Sequence, residues 1–65
     1  MNTNFKKALI EFEGKQYWVD MSDGGFPSVK TFEDGKLRPT MVSEVNLADL
    51  LWKGHVISDK KPETI

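Results

Sequence analysis

The stretch KALIEFEGKQYWVDM, residues 7–21, decides the fold, because apolar and polar residues alternate on both sides of its glycine. Such alternation is the pattern of a half-buried strand, so the stretch predicts the two strands of a β-hairpin. A two-residue turn at Gly14-Lys15, a glycine-first pair that suits type II′, sets Ile10 opposite Val19. In that register six apolar residues share one face of the hairpin: Ala8, Ile10, Phe12, Tyr17, Val19 and Met21.

A second hairpin is predicted after the glycine-rich segment SDGGFPS. VKTF is typical of a short strand, and the Asp34-Gly35 pair that follows is among the strongest hairpin signals. A two-residue loop at this pair places Phe32 opposite Leu37. The returning strand, LRPTMV, contains Pro39, which has no N–H to donate to a neighbour. We therefore expect this strand to lie at an edge of the sheet or to bend at the proline.

The segment NLADLLWKG predicts one short helix. Asn46 is a good N-cap, and Gly54 marks the C-terminal stop. Leu47, Leu50 and Leu51 form an apolar stripe on one side of this helix. About seven residues cannot hold a helix alone, so the stripe must dock on the sheet. The next residues, HVI, predict a last short strand.

These elements predict a mainly β (α+β) fold in the order β-β-β-β-α-β, with one short helix. Residues 1–65 form a single small domain, whose last residues, 58–65, predict a frayed and flexible tail. Two architectures fit the order: a small antiparallel sheet with the helix packed across it, and an SH3-like barrel. The order alone does not distinguish between them, and neither would fix the function.

Composition argues against several classes of protein. Nine basic and ten acidic residues leave a net charge of −1, whereas nucleic-acid binders usually present a basic surface. The chain has no cysteine, which excludes disulfides and thiolate zinc sites and favours an intracellular, cytoplasmic protein. The apolar run near the N-terminus covers only residues 8–10, which is too short for a signal peptide, and no stretch approaches a membrane span.

No residue pattern predicts catalysis, a metal or a cofactor. The single histidine, His55, follows the helix without a recognisable catalytic partner, which favours a surface role. Asp20 and the glycines after it do not have the spacing of an EF-hand calcium loop. Glu11 and Glu13 alternate with apolar residues, as they do on the solvated side of a strand. We therefore predict that the protein is not an enzyme.

Aromatic residues outside the apolar faces are the candidates for binding. Trp18 points away from the apolar face of the first hairpin, and Trp52 lies roughly 150° around the helix from the centre of the leucine stripe. Phe26 follows two glycines and precedes a proline, an arrangement that can aim the ring outward from a loop that also carries Asp23. The alternative for each ring is burial, because a chain this short needs nearly all its apolar residues for a core.

Tryptophan is enriched at binding hot spots, so we predict a non-enzymatic module that binds another protein. It would dock on a larger intracellular protein and modulate or inhibit it. The predicted partner-binding residues are Trp18, Phe26, Trp52 and Asp23. The acidic residues around Phe26 favour a partner with a basic surface. Small proteins without motifs or cysteines are common among bacteriophage and mobile-element products, which makes such an origin a reasonable expectation.

The alternative function is a small nucleic-acid-binding barrel. In that hypothesis Trp18, with Lys7 and Phe5, forms a platform on which the bases of a single strand stack. The near-neutral charge argues against it, and a steep loss of binding between about 50 and 200 mM salt would argue for it. The sequence leaves the oligomeric state open.

Overall fold

A computed structural model describes residues 6–22 and 27–64 of the chain. These residues form five strands and one helix in the predicted order. The elements are β1 (Lys7–Phe12), β2 (Lys15–Asp20), β3 (Ser28–Glu33), β4 (Lys36–Pro39), α1 (Leu47–Lys53) and β5 (His55–Ser58). The strands make one antiparallel sheet in the order β4-β3-β2-β1-β5. The predicted mainly β fold with one short helix is confirmed, and in the described residues β4 and β5 stand at the two ends of the strand order.

The first hairpin has the predicted faces but not the predicted register. Its two-residue loop is Glu13-Gly14, with φ angles of 52° and 80°, and not Gly14-Lys15. Positive φ at both loop residues is the requirement of a type I′ turn, which matches the twist of the strands and needs glycine second instead of first. Ile10 therefore lies opposite Tyr17 and not opposite Val19. The pairing moves by two residues, so every side chain keeps its face.

The second hairpin agrees with the prediction in its turn and register. Asp34 and Gly35 form the loop with φ angles of 55° and 74°, and Phe32 lies opposite Leu37. β4 lies at an edge of the sheet, as expected for a strand with a proline. The strand is shorter than LRPTMV, because it ends at Pro39.

The core lies on one face of the sheet, which we call the helix side. Its buried cluster consists of Ala8, Ile10, Tyr17, Val19 and Leu50. Leu50 is the buried residue of α1 and has no exposed surface. The helix begins as predicted, because the side chain of Asn46 accepts a hydrogen bond of 3.1 Å from the backbone N–H of Asp49. It ends at Gly54, whose N–H donates to the carbonyl oxygen of Leu50.

The opposite face, which we call the tail side, also buries apolar residues. Leu9 and Trp18 lie side by side on β1 and β2 with 7% and 6% of their surfaces exposed. Ser58 belongs to β5, so the tail that we predicted from residue 58 begins one residue later. Residues 59–64 run to a shallow groove on the tail side lined by Lys30, Lys36, Leu37, Lys61 and Thr64. The flexibility of this segment stays a prediction.

Candidate functional site

Trp52 is the most exposed aromatic residue in the described part of the chain, with 65% of its surface accessible. The seven-residue helix explains this exposure, because successive residues are about 100° apart and Leu50 faces the core. Trp52, two residues later, therefore lies on the opposite side of the helix. The geometric part of the prediction for Trp52 agrees with the structure, while its role in binding stays a prediction.

The other exposed large apolar side chains lie close to Trp52 in the sequence. In the described residues all of them fall between residues 41 and 57. They are Met41 (65% exposed), Val42 (98%), Val56 (46%) and Ile57 (45%). Single exposed apolar residues are ordinary on a protein surface. These five residues lie in the loop before α1, on the outer side of α1, and in the edge strand β5.

An open groove of about 490 Å³ lies between this loop and the helix. We call it the helix groove. Its lining is Pro27, Val29, Thr40, Met41, Val42, Val45, Asn46, Leu47 and Ala48. Ala48 is four residues before Trp52 and therefore on the same flank of the helix. Met41 and Val42 line the groove from the loop, and Ala48 lines it from the helix.

A polar cluster holds the loop that carries Met41 and Val42. The Glu44 carboxylate accepts a hydrogen bond from the Arg38 guanidinium at 2.9 Å and another from the Thr31 hydroxyl at 3.3 Å. Thr31 is buried, and its hydroxyl also pairs with that of Thr40 at 2.9 Å. The Glu44 backbone N–H donates to the carbonyl oxygen of Met41 at 2.9 Å. The loop is thereby tied to β3 and β4, which orders the far side of the helix groove before any partner binds.

These contacts shift three pKa values. Burial acts to raise the pKa of Glu44, but hydrogen bonds, above all the one from Arg38, outweigh it and leave that pKa lowered. The hydrogen bond with Glu44 raises the pKa of Arg38. Burial, followed by the nearby Glu44 carboxylate, raises the pKa of the Tyr17 phenol. At neutral pH the cluster therefore holds the Arg38 guanidinium, paired with the carboxylates of Glu44 and Glu33, beside a neutral phenol.

The structure does not present Trp18 to a partner. It lies on the tail side of the sheet, as the hairpin pattern predicts, but it is 6% exposed. The hairpin pattern gives the face on which Trp18 lies, but it does not reveal whether that face is covered. Phe26 and Asp23, the other two predicted partner-binding residues, lie outside the described residues, as does Phe5 of the proposed base-stacking platform.

No group of three His, Cys, Asp or Glu side chains that could hold a metal ion occurs in residues 6–22 and 27–64. His55 is exposed at the start of β5. The Asp20 carboxylate is engaged locally, because it accepts hydrogen bonds from the Ser22 hydroxyl and backbone N–H. These two bonds lower the pKa of Asp20. Within the same residues, no helix has the length and hydrophobicity needed to cross a bilayer.

Sequence reasoning missed Met41 and Val42, which it placed in a strand. The signal was present in Pro39, where β4 ends. A proline that cannot continue the ladder leaves the residues after it free to form a loop.

No family model, curated protein or solved structure matches this chain. The functional argument therefore depends on the chemistry of the surface itself.

Proposed function

We propose that this chain is a non-enzymatic protein-binding module that docks on a larger protein through Trp52 and the helix groove, and modulates or inhibits that protein. The observation that carries the proposal is a tryptophan with 65% of its surface exposed, next to an open groove lined by both polar and apolar side chains. Interfaces gain most of their binding energy from a few such residues, with tryptophan prominent among them. The groove would receive an apolar side chain of the partner while Trp52 packs beside it.

Covering Trp52 releases free energy of the size that a hot spot needs. An aromatic side chain buries up to about 250 Å², so the exposed 65% corresponds to about 160 Å². At about 25 cal/mol per Å² the gross gain is about 4 kcal/mol. Ordering the side chain costs about 1 kcal/mol, which leaves about 3 kcal/mol for binding.

The charge of the partner's surface is proposed from two acidic residues. Asp49 is exposed on α1, and Asp23 is a predicted partner-binding residue, so together they support a partner with a basic surface. We also propose that the protein is cytoplasmic and that it originates among bacteriophage or mobile-element products. For the fold, we propose an SH3-like classification, because the five-stranded sheet has its helix before the last strand.

Nucleic-acid binding is the weaker candidate. Its stacking platform requires an accessible Trp18, and this ring is 6% exposed. Binding that depends on phosphates loses affinity steeply between about 50 and 200 mM salt. Binding through Trp52 and the helix groove depends mainly on apolar contacts, and we expect it to change little over that range.

The test begins with affinity capture of the partner from the native host in the presence of nuclease, followed by titration calorimetry with the purified partner. We expect Trp52→Ala to weaken binding at least about 30-fold, which corresponds to about 2 kcal/mol. Lys53→Ala, which alters the next exposed helix residue, is the matched control and should change affinity less than threefold. Thermal melting should show both variants folded. Full-strength binding by a folded Trp52→Ala variant would refute the proposal.

A further inference from the structure

The tail side of the sheet buries a tryptophan although the helix packs on the other side. The strand registers place Leu9, Trp18 and Lys30 next to one another on β1, β2 and β3. Leu37 lies on the same side, on β4. β5 ends at Ser58, opposite Leu9, and Lys61 and Thr64 lie in a groove with Lys30 and Leu37. A chain that leaves β5 and reaches β3 and β4 on this side must pass over β2, which carries Trp18.

The length of segment 59–64 is sufficient for this path. Neighbouring strands are about 4.8 Å apart, so the distance from β5 to β4 is about 19 Å. Six residues span at most about 20 Å when fully extended, and residues 59 and 60 are bent, so the segment is just long enough to reach the groove that Lys61 and Thr64 line. Pro62, in the middle of the segment, is half-buried, while the other described residues of the segment are exposed. We call residues 59–64 the strap.

The strap is held weakly. In the described residues it makes one hydrogen bond, from the Lys60 N–H to the Ser58 hydroxyl at 3.0 Å. It has no ion pair with the described part of the sheet. Lys61 lines the same groove as Lys30 and Lys36. Like charges repel one another, so a segment with acidic residues in place of Lys61 would suit this groove better than the strap does.

We propose that the strap is displaceable and that an extended, acidic segment of a protein partner takes its place over Trp18. The strap, which has a proline near its centre, shows that polypeptide fits the groove beside Lys30 and Leu37. The lysines in the groove supply the charge complementarity for glutamate or aspartate at the positions that Lys60 and Lys61 now occupy. This site is on the opposite side of the sheet from Trp52 and is independent of the proposed function.

A polypeptide fits this side better than a nucleic acid does. Glu11 and Asp20 lie on the same side of the sheet, on either side of the Leu9–Trp18 pair. A peptide can place its acidic residues only over the lysine groove, whereas a nucleic-acid backbone carries a charge at every phosphate. A phosphate chain across this side would meet both carboxylates.

The first experiment determines whether the strap covers Trp18. In the full chain with Trp52→Phe, Trp18 is the only tryptophan, and iodide quenching of its fluorescence measures its accessibility. Adding Pro62→Gly loosens the strap and should increase the quenching constant at least twofold. Pro27→Gly, which alters a proline of the helix groove, is the matched control and should leave it unchanged. Equal quenching in all three proteins would overturn the proposal.

The second experiment tests the acidic ligand by NMR titration of the labelled full chain. The probes are two synthetic peptides, SDEEPETI and SDKKPETI, the second having the sequence of the tail itself. The effective concentration of the covalently attached strap is of millimolar order, so the titration extends into that range. We expect SDEEPETI to shift the strap amides and the Trp18 indole N–H, and to bind at least tenfold more tightly than SDKKPETI. Lys30→Glu should abolish this preference, whereas Lys15→Glu should preserve it.

Three outcomes would overturn the assignment. Equal affinity for the two peptides would show that charge does not select the ligand. Strap amides that stay unshifted with both peptides would show that the strap is not displaced. Displacement by oligodeoxythymidine, when neither peptide displaces the strap, would show that this side of the sheet binds nucleic acid instead.

Discussion

Replacing Gly54 with alanine should destabilise the fold by about 2–4 kcal/mol, although the backbone at this position suits any residue. Gly54 has φ −68° and ψ 153°, which is an extended conformation. At such a position alanine normally stabilises a protein by about 0.4–1 kcal/mol, because it restricts the unfolded chain. Here an added Cβ would overlap the carbonyl oxygen of Leu50 and the Cγ2 methyl of Ile10. The sign of the effect therefore tests whether the helix end approaches β1 as closely as the structure shows.

The size of this destabilisation depends on which atoms must move to make room for the added Cβ. The Leu50 oxygen belongs to the backbone, so no side-chain rotation relieves the overlap and the end of α1 must shift away from β1. Overpacking of this kind costs about 1–3 kcal/mol. The hydrogen bond from the Gly54 N–H to the Leu50 oxygen is 2.9 Å long, and its loss adds about 1 kcal/mol. A domain of 65 residues has about 3–10 kcal/mol of stability, so the variant should be close to unfolding.

Urea unfolding followed by circular dichroism measures the difference. Gly14→Ala is the matched control, because a Cβ at Gly14 meets no atom within 4 Å but its φ of +80° is left-handed. That conformation costs alanine about 1–2 kcal/mol. A Gly54→Ala variant that is more stable than the parent, or less affected than Gly14→Ala, would refute the close approach.

Two further predictions concern the core and the polar cluster. Ile10→Ala should cost about 2–5 kcal/mol because Ile10 is 1% exposed in the central cluster, and a melting temperature within a degree or two of the parent would contradict that position. The lowered pKa of Glu44 means that its contribution to stability is complete above the ordinary carboxyl pKa and is lost as the pH falls through the lowered value. Glu44→Gln should therefore lose less stability than the parent between about pH 6 and pH 3 in urea unfolding. The pKa of Asp20 is also lowered, and Asp20 is present in both proteins. Parallel losses of stability in the parent and the variant would therefore show that Glu44 contributes nothing to the pH dependence.

The faces of the first hairpin could be predicted from the sequence although its register could not, because alternation determines the faces and the turn determines the register. Alternation places Ile10 and Val19 on the same face in either register, since the two registers differ by two residues. The register depends on whether Gly14 is the first or the second residue of the turn. The structure puts Glu13 first with φ 52°, a conformation that the residue type does not signal. The second hairpin was predictable in full because Asp34-Gly35 specifies its own turn.

The two tryptophans show the limit of pattern reasoning at the candidate site. The sequence places both Trp18 and Trp52 away from the apolar faces, and the structure exposes only Trp52. A seven-residue helix packed on a sheet has one solvated side, so its pattern predicts exposure directly. A sheet has two faces, and the second can be covered by any later segment. Residues 59–64 are mostly polar, so their composition predicts a free tail although they lie near Lys30 and Leu37.

The distribution of exposed apolar residues is the strongest reason to regard the outer side of α1 as functional. If exposure reflected only a core too small to bury every apolar residue, the exposed side chains should be scattered over the sheet and its turns. In the described residues they are instead confined to the loop before α1, to α1 and to the edge strand β5, and none lies on β1 to β4 or in their turns. The same region contains an ordered loop, because Arg38 and Thr31 hold Glu44 in place. A surface whose loop is already held in place loses little conformational entropy when it binds. The concentration of exposed apolar residues and the rigidity of the loop therefore favour a binding interface at Trp52. They argue against the alternative that Trp52 is exposed only because the core is too small to bury it.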